Sequence, residues 1–384
     1  MKDSIGLHKQ FELNVYPKRD LVIVKGENAR VWDNNGNEYI DCIGGHGVVS
    51  IGHCNSVIID AINKQARTLI NCPGTFYNDR RAELLEKLME IAPPKLRRAF
   101  LCNSGTEAIE AAIKFARITM GKTDFVCAVR GFHGRTYGAM SATHEPKYQQ
   151  GAEPLVPGFS FVPFNNFEKL KAAISLSTAA VILELVQGEG GVNIADKDYI
   201  SKVRELCSRN NILLIVDEVQ TGFCRTGKFF ACEHFDLAPD IMCVAKAMAG
   251  GLPMGAVMCL DNFNIPVGKH GSTFGGNPLV CAASIATIEF MKKEKLFEQA
   301  GEKGKYFFSQ FPAAKLKRVR EVRQIGLMIG IELKEKSQPL LIELMNRKVL
   351  ALPAGPNVIR LLPPLTISLK ELDTVIEKLT EVLN

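Results

Sequence analysis

The chain has 384 residues, 46% hydrophobic and 23% charged, an ordinary balance for a globular protein with a large core and room for one large and one smaller domain. A formal net charge of +6 is too mild to argue for nucleic acid, and no nucleic-acid-binding motif accompanies it. No apolar run approaches the ~20 residues of a membrane span, and the opening stretch MKDSIGLHKQFELN lacks an apolar leader core. The eleven cysteines contain no C-x-x-C pair. That pattern predicts reduced, mostly buried thiols in a cytoplasmic protein rather than a disulfide frame or a zinc site.

In chain order, Leu21–Val24 and Arg30–Asp33 read as strands, with a hairpin through the Asn/Gly turn that follows and with Trp32 packed. The glycine-rich DCIGGHGVVSIGHCN at 41–55 allows close backbone approach, as a pocket wall needs. His46 and His53 have no second ligand at metal spacing, so structural roles are expected and no metal site is. Residues 56–70 and 79–91 carry helical periodicity, and Pro93-Pro94 stops the second helix. Arg98–Cys102 reads as a strand. Ser104 and Glu107 then form an S-x-x-E capping box, opening a helix with Ile109, Ala112, Ile113 and Ala116 on one face. A strand, a small-residue turn and a helix N-terminus make an anion site, although an ordinary capped helix looks the same.

Phe125–Val129 is a buried strand leading into GFHGRT at 131–136, and Val181–Leu185 is another, with Glu184 inside it and Glu189 in the glycine-rich loop beyond. Ile212–Val216 runs straight into Asp217. A carboxylate ending a buried strand is poorly hydrated unless it meets a cation or a strong donor, and such strand ends are where open α/β sheets bind ligands. The plain alternative is an aspartate capping the next turn. Ile241–Ala245 likewise runs into Lys246, flanked by small residues. Alone, such a lysine is ordinarily a snorkelling surface side chain; desolvated, its amine becomes a nucleophile. An aspartate and a lysine at the ends of two buried strands match what pyridoxal 5'-phosphate (PLP) requires: a Schiff-base lysine and an acid partner for the ring nitrogen. Gly222–Lys228 fits most of a phosphate-loop pattern, but Phe229 stands where a Ser or Thr is required, and no G-x-G-x-x-G opens the chain.

From about residue 278 the pattern changes to helical runs, with short strands at Gly326–Leu333 and Val358–Leu361 and a helix at 370–383, an α+β arrangement. Arg360 stands among apolar residues, where an arginine is usually paired or functional. Lys315, Lys317, Arg318, Arg320 and Arg323 are locally basic. A solvated face is the simple reading, and a docking surface for an acidic partner the other.

Six stretches carry a resemblance: NSGTEAIEAAIKFAR (103–117), GFHGRT (131–136), LELVQGEGG (183–191), DEVQTGFCRTG (217–227), AKAMAGGLPMG (245–255) and GSTFGGNPL (271–279). In this order they resemble the class-III, fold-type I aminotransferases over essentially the whole chain. The resemblance implies an α/β fold with a large domain around a mostly parallel seven-stranded sheet and a small α+β domain. Residues 1–45 would join the small domain, 46–275 form the PLP-binding domain and 276–384 the C-terminal small domain. It further implies PLP on Lys246, Asp217 at the ring nitrogen, Gly105 and Thr106 at the phosphate, Phe132 stacked on the ring and Gln220 at the ring hydroxyl. Thr273 would reach the phosphate of the other subunit of a homodimer, with Ser272 near substrate. Arg135 and Arg360 would take substrate carboxylates, with Glu189 masking Arg360 in one half-reaction. Glutamate and 2-oxoglutarate are the implied common pair. YIDCIGGHGV, HGSTFGGNPL and VLALPAGPNVIRLLPPL resemble most the members that act on lysine or ornithine borne on an acidic amino-group carrier protein, in lysine or arginine biosynthesis. Acetylornithine, ornithine and 4-aminobutyrate are the alternative substrates, and a decarboxylase, racemase or aminomutase would share Lys246 and Asp217.

Overall fold

The computed structural model describes residues 3–384; Met1 and Lys2, which open the stretch read as lacking a leader, lie outside them. Its centre is a seven-stranded sheet: β1 (Leu96–Cys102), β2 (Asp124–Ala128), β3 (Phe159–Val162), β4 (Thr178–Glu184), β5 (Leu213–Asp217), β6 (Ile241–Val244) and β7 (Gly255–Leu260). The spatial order is β1-β7-β6-β5-β4-β2-β3. The run from β3 to β6 is parallel, and β7 is antiparallel to both its neighbours.

The unbroken aliphatic runs follow from this position. Every residue of β4 and β5 is buried. Val181, Leu183, Leu214 and Val216 pack into the core on one side, and Ala180, Ile182, Leu213 and Ile215 into the core on the other. Both faces are covered, so alternation would place polar groups in apolar surroundings. Each buried aliphatic side chain contributes about 1.5–3 kcal/mol relative to exposure.

Helix Gly105–Met120 covers one face with Ile109, Ala112, Ile113 and Ala116, all buried as the periodicity predicts. The Ser104 Oγ accepts the Glu107 N–H at 3.3 Å. The Glu107 carboxylate reaches back one residue further than the capping box predicts, to the Asn103 N–H at 2.7 Å. Gly121, in the left-handed region at φ 61°, ends the helix.

Two four-stranded sheets flank this body. Ile23–Glu27, Arg30–Asp33 and Glu38–Asp41 form an antiparallel meander, extended by Val349–Leu350 from the far end of the chain. The first strand starts at Ile23 rather than Leu21, and Trp32 is only half-buried, with the Lys25 ammonium 4.3 Å from its ring centre. The second sheet joins Val319–Ile325, Met328–Leu333, Val358–Leu361 and Leu352–Pro353, backed by helix Leu369–Leu383. The loop resembling a phosphate loop has a structural task. Arg225, 1% exposed, donates to the Leu327 and Pro363 carbonyls at 3.0 and 2.6 Å and to Ser50 Oγ at 3.2 Å. It thereby ties the end of β5 to the C-terminal sheet. The cysteines are free thiols, most of them buried. No described helix is long and apolar enough to cross a membrane.

Candidate active site

The carboxyl ends of the parallel strands open on a cavity of about 260 Å³. β1 leads to Gly105 and Thr106, β2 to Phe132 and Arg135, β4 to Glu184 and Glu189, β5 to Asp217, Val219 and Gln220, and β6 to Lys246. The chain crosses from strand to covering helix here, so polar side chains and free backbone groups collect where the sheet core stops.

Lys246 follows β6 after one intervening residue and holds φ at +43°, in the left-handed region that a lysine enters only at a cost of about 1–2 kcal/mol. Burial pulls its ammonium below the usual lysine range, and Arg360 adds to this, while Glu189, Asp217 and Glu184 oppose it. The backbone therefore fixes an amine that is more easily neutralised than a surface lysine.

Asp217 is 5% exposed. Its Oδ1 accepts the Val219 N–H at 3.0 Å, and its Oδ2 lies 2.7 Å from His133 Nδ1. Burial disfavours the charged imidazole of His133, but the Asp217 hydrogen bond and charge outweigh this, so its pKa lies above the usual histidine value. Glu184 stands beside Asp217 in register on the neighbouring parallel strand. It ends β4 rather than sitting inside it, and burial pushes its carboxyl up to about 7. Its two oxygens accept the Phe132 N–H at 3.0 Å and the Gly188 N–H at 3.1 Å. One carboxyl group thus fixes both the Phe132 wall and the loop carrying Glu189. The sequence reading gave neither His133 nor Glu184 a role. The signal for Glu184 was a third aliphatic run ending in an acid; His133 had none, because its contact with Asp217 spans the sheet.

Arg360 is fully buried on the Val358–Leu361 strand, yet it enters the same cluster. Its Nη2 meets Glu189 Oε1 at 2.7 Å and its Nη1 donates to Gln220 Oε1 at 2.9 Å, while Nε has no partner among the described residues. Arg360 and Lys246 hold the Glu189 carboxyl below its usual range despite the opposing effect of burial. Gln220 presents its amide oxygen to Arg360, which leaves the amide NH₂ for the cavity. Gly188 packs so closely on Gln220 that a Cβ there would lie 2.1 Å from Oε1. Arg135 is exposed at the cavity mouth, its guanidinium 4.3 Å from the Tyr148 ring centre and 5.9 Å from that of Phe132.

The site fits PLP by the chemistry of its donors. The Gly105 and Thr106 N–H groups open a 16-residue helix and have no intrahelical acceptor. Phe132 and Val219 are apolar walls, and Asp217 supplies an anion among them. Two predicted residues do not join this cavity. Ser272 caps a turn, accepting from Asn103 Nδ2 at 3.2 Å and from the Gly275 N–H at 3.0 Å, and Thr273 is exposed. His46 sits at φ 62° in a left-handed turn of GGHG, and His53 pairs with Asp41 at 2.7 Å.

Glu218, next in sequence to Asp217, faces away and caps the Ala231–Phe235 turn through the Ala231 and Cys232 N–H groups at 3.0 and 2.8 Å. Burial pushes its carboxyl up to about 7, against the hydrogen bonds it accepts. A carboxyl whose folded pKa lies above its unfolded value of about 4.3 contributes its full stability below that value and loses it as pH rises through 7. Between pH 5 and 9 the loss is on the order of 3 kcal/mol. The expected result is a wild-type Tm that falls across this window more steeply than that of Glu218→Gln, measured by thermal denaturation of the holoenzyme. Parallel curves would refute it.

A family model described as aminotransferase class-III matches residues 14–383. The chain is 48% identical to the [LysW]-aminoadipate semialdehyde transaminase of Deinococcus radiodurans, covering 99% of this chain and 90% of the relative. It is 43% identical to the acetylornithine aminotransferase of Methanocaldococcus jannaschii, covering 98% and 97%. The ornithine aminotransferase of Toxoplasma gondii, with PLP at partial occupancy in its active site, superposes with a TM-score of 0.93 at 32% identity, covering 99% of this chain and 93% of that one.

Proposed function

The chain belongs to the class-III aminotransferases, which depend on PLP, and we propose that it moves an amino group between glutamate or 2-oxoglutarate and the terminal amine or semialdehyde of lysine or ornithine linked to an acidic amino-group carrier protein, in lysine or arginine biosynthesis. The observation that carries this reading is the Arg360–Glu189 pair, whose carboxylate lines the same cavity as Lys246. An enzyme that takes an α-amine from glutamate and delivers it to an ω-carbon needs a carboxylate-binding arginine for the first substrate and must hide it from the second. The name of the Deinococcus radiodurans relative favours the carrier-linked substrate. Acetylornithine is the second reading, favoured by the Methanocaldococcus jannaschii relative.

Bound in this cavity, PLP supplies an electron sink for the charge left on a substrate carbon that has lost its proton. Lys246 would hold the cofactor through its amine, and that amine is the group placed to take and return the proton at the amine-bearing substrate carbon. Asp217, positioned by His133, would face the ring nitrogen. Gly105 and Thr106 would hold the phosphate through their N–H groups, Phe132 would cover the ring, and Gln220 would donate to the ring hydroxyl. Arg135 binds the α-carboxylate of the ω-amino substrate; Arg360 binds that of glutamate when Glu189 swings aside. Thr273, on an exposed turn outside its own cavity, serves the phosphate site of the second subunit of a homodimer, and Ser272 shapes that turn near the substrate.

The test follows the visible band of the holoenzyme through each half-reaction. Carrier-linked lysine or ornithine is expected to react with a kcat/KM at least about tenfold above that of acetylornithine, a difference of about 1.4 kcal/mol. Equal values would move acetylornithine into first place. In the same assay Glu189→Ala leaves Arg360 permanently open. The glutamate half-reaction is then expected to survive while kcat/KM for the ω-amine falls about tenfold or more. An unchanged ratio between the half-reactions would remove Glu189 from the gating role.

A further inference from the structure

Outside the cavity lies a second cleft, of about 420 Å³. The two volumes share Phe132 and Glu189 in their walls, so a substrate that reaches Lys246 through the mouth can extend into the outer one. The far wall of the cleft comes from the C-terminal sheet and the Ala354–Val358 turn, and it includes Arg320 and Arg323 of the basic segment.

The charges in this cleft are not equally engaged. Arg323 is saturated, bonded to Glu321 and Glu332 at 2.6 Å each and to the Gly191 carbonyl at 2.8 and 3.1 Å. Arg320 meets the other oxygen of Glu332 at 3.0 Å, Lys147 lies 3.8 Å from Glu145, and Glu189 is held by Arg360. Every carboxylate lining the cleft therefore already has a cation. Arg130 is the exception among the cations: it lines the cleft, is exposed, and has no hydrogen-bond or ion-pair partner among the described residues.

The backbone places Arg130 at a cost. Its residue is third in the tight turn closed by the Gly131 N–H on the Ala128 carbonyl at 3.0 Å, with φ at +66°. Glycine or asparagine is ordinary at such a position, and a long side chain costs about 1–2 kcal/mol there. Gly190 holds the turn from behind, so near that a Cβ on it would lie 2.7 Å from the Arg130 carbonyl oxygen. A strained, clamped turn ending in an unpaired guanidinium is an arrangement that waits for an anion, since arginine binds carboxylates through two parallel donors.

We infer that the outer cleft is a second anion subsite, in which Arg130 binds a carboxylate carried on the acyl group that blocks the α-amine of the amino substrate. The inference rests on the proposed ω-amine reading and adds to it what reads the far end of that substrate. Arg135 sits between the two volumes, stacked on Tyr148, which also lines the cleft. A substrate with its amine at Lys246 and its α-carboxylate at Arg135 then directs its acyl group toward Arg130. A neutral acetyl group leaves the guanidinium unmatched. An acidic acyl group fills the subsite by pairing with the Arg130 guanidinium.

The probes are N2-acetylornithine and N2-succinylornithine, which differ in the acyl carboxylate. The holoenzyme is expected to show a KM for the succinyl compound about tenfold below that for the acetyl compound, with similar kcat. Arg130→Gln and Arg130→Gly are expected to erase this preference, leaving acetylornithine and glutamate unchanged. The glycine variant suits the positive φ and should retain or raise Tm, which separates lost recognition from lost fold. The wild-type preference should also shrink with added salt. A preference that survives both variants, or a loss shared equally by both compounds, overturns the subsite. If glutamate reacts and neither acylornithine does, the ω-amine reading fails. The subsite is then judged by the same ratio taken from the inhibition constants of the two compounds against glutamate, where no difference rejects it.

Discussion

Lys246→Ala is expected to lower kcat by about 10⁴-fold in both half-reactions. The covalent link to the cofactor should disappear with it, seen as loss of the characteristic visible band. The cavity offers no replacement: among its lining side chains Lys246 is the only primary amine. Its position is set by β6 on one side and by the turn at Lys246–Ala249 on the other, so a neighbouring lysine cannot swing in. Burial holds its pKa below that of a free lysine, which is what lets one amine serve as nucleophile and then as base. Lys246→Arg should be equally inactive, because a guanidinium keeps its proton. Added methylamine should restore part of the activity of the alanine variant, as a small amine entering the emptied space. A variant retaining a tenth of wild-type turnover would show that the proton is moved by another group.

Asp217→Asn is expected to cost about 10²–10³-fold in kcat, the usual scale for removing one preorganised electrostatic partner. The amide matches the carboxylate in size and can still accept the Val219 N–H, so the turn at 217–219 should hold. What is lost is the charge that keeps a ring nitrogen protonated and that holds the His133 proton. In the wild type that charge outweighs the burial of His133 and raises its pKa. Without it burial dominates, and His133 turns neutral at lower pH. The pH profile of the variant should therefore be shifted as well as depressed. Asp217→Asn acting only by misfolding would lower Tm and scale all substrates and pH values alike. A kcat within threefold of wild type would remove the charge from the mechanism.

The uneven legibility of this site has a physical pattern. Asp217 and Lys246 stand out because each ends a run of five apolar residues, and such a run before a charge needs no partner to be noticed. Arg360 stands out as a charge between two apolar pairs, Val358-Ile359 and Leu361-Leu362. The resemblance to class-III aminotransferases added residues that composition alone would pass over, such as Gly105 and Gln220. The resemblance gave the Glu189–Arg360 pair but not Gln220 and the Glu184-held Gly188 turn that join it, because the members come from two strand ends and a separate sheet. His133 and Glu184 were missed for that reason too. The Glu107 carboxylate accepts from the Asn103 N–H at 2.7 Å and from the Ser104 hydroxyl at 3.1 Å, so the cap closes one residue earlier than the sequence pattern indicates.

The sequence by itself determined the layered α/β core, since runs of aliphatic residues bounded by turns have no favourable exposure and must be covered on both faces. It also determined which chemistry is available, because a lysine and an aspartate at strand ends carry that information locally. Tertiary structure alone decided who meets whom. β5 lies beside β4 and sets Glu184 against Asp217, while the sheet departs from chain order by placing β2, not β3, next to β4, which brings His133 to Asp217. The left-handed backbone at Lys246 and Arg130 is likewise invisible in residue type, since each is held there by neighbours that over-determine the turn. Electrostatics at this site depends on separations of a few ångströms between groups tens of residues apart, and only the folded chain sets those separations.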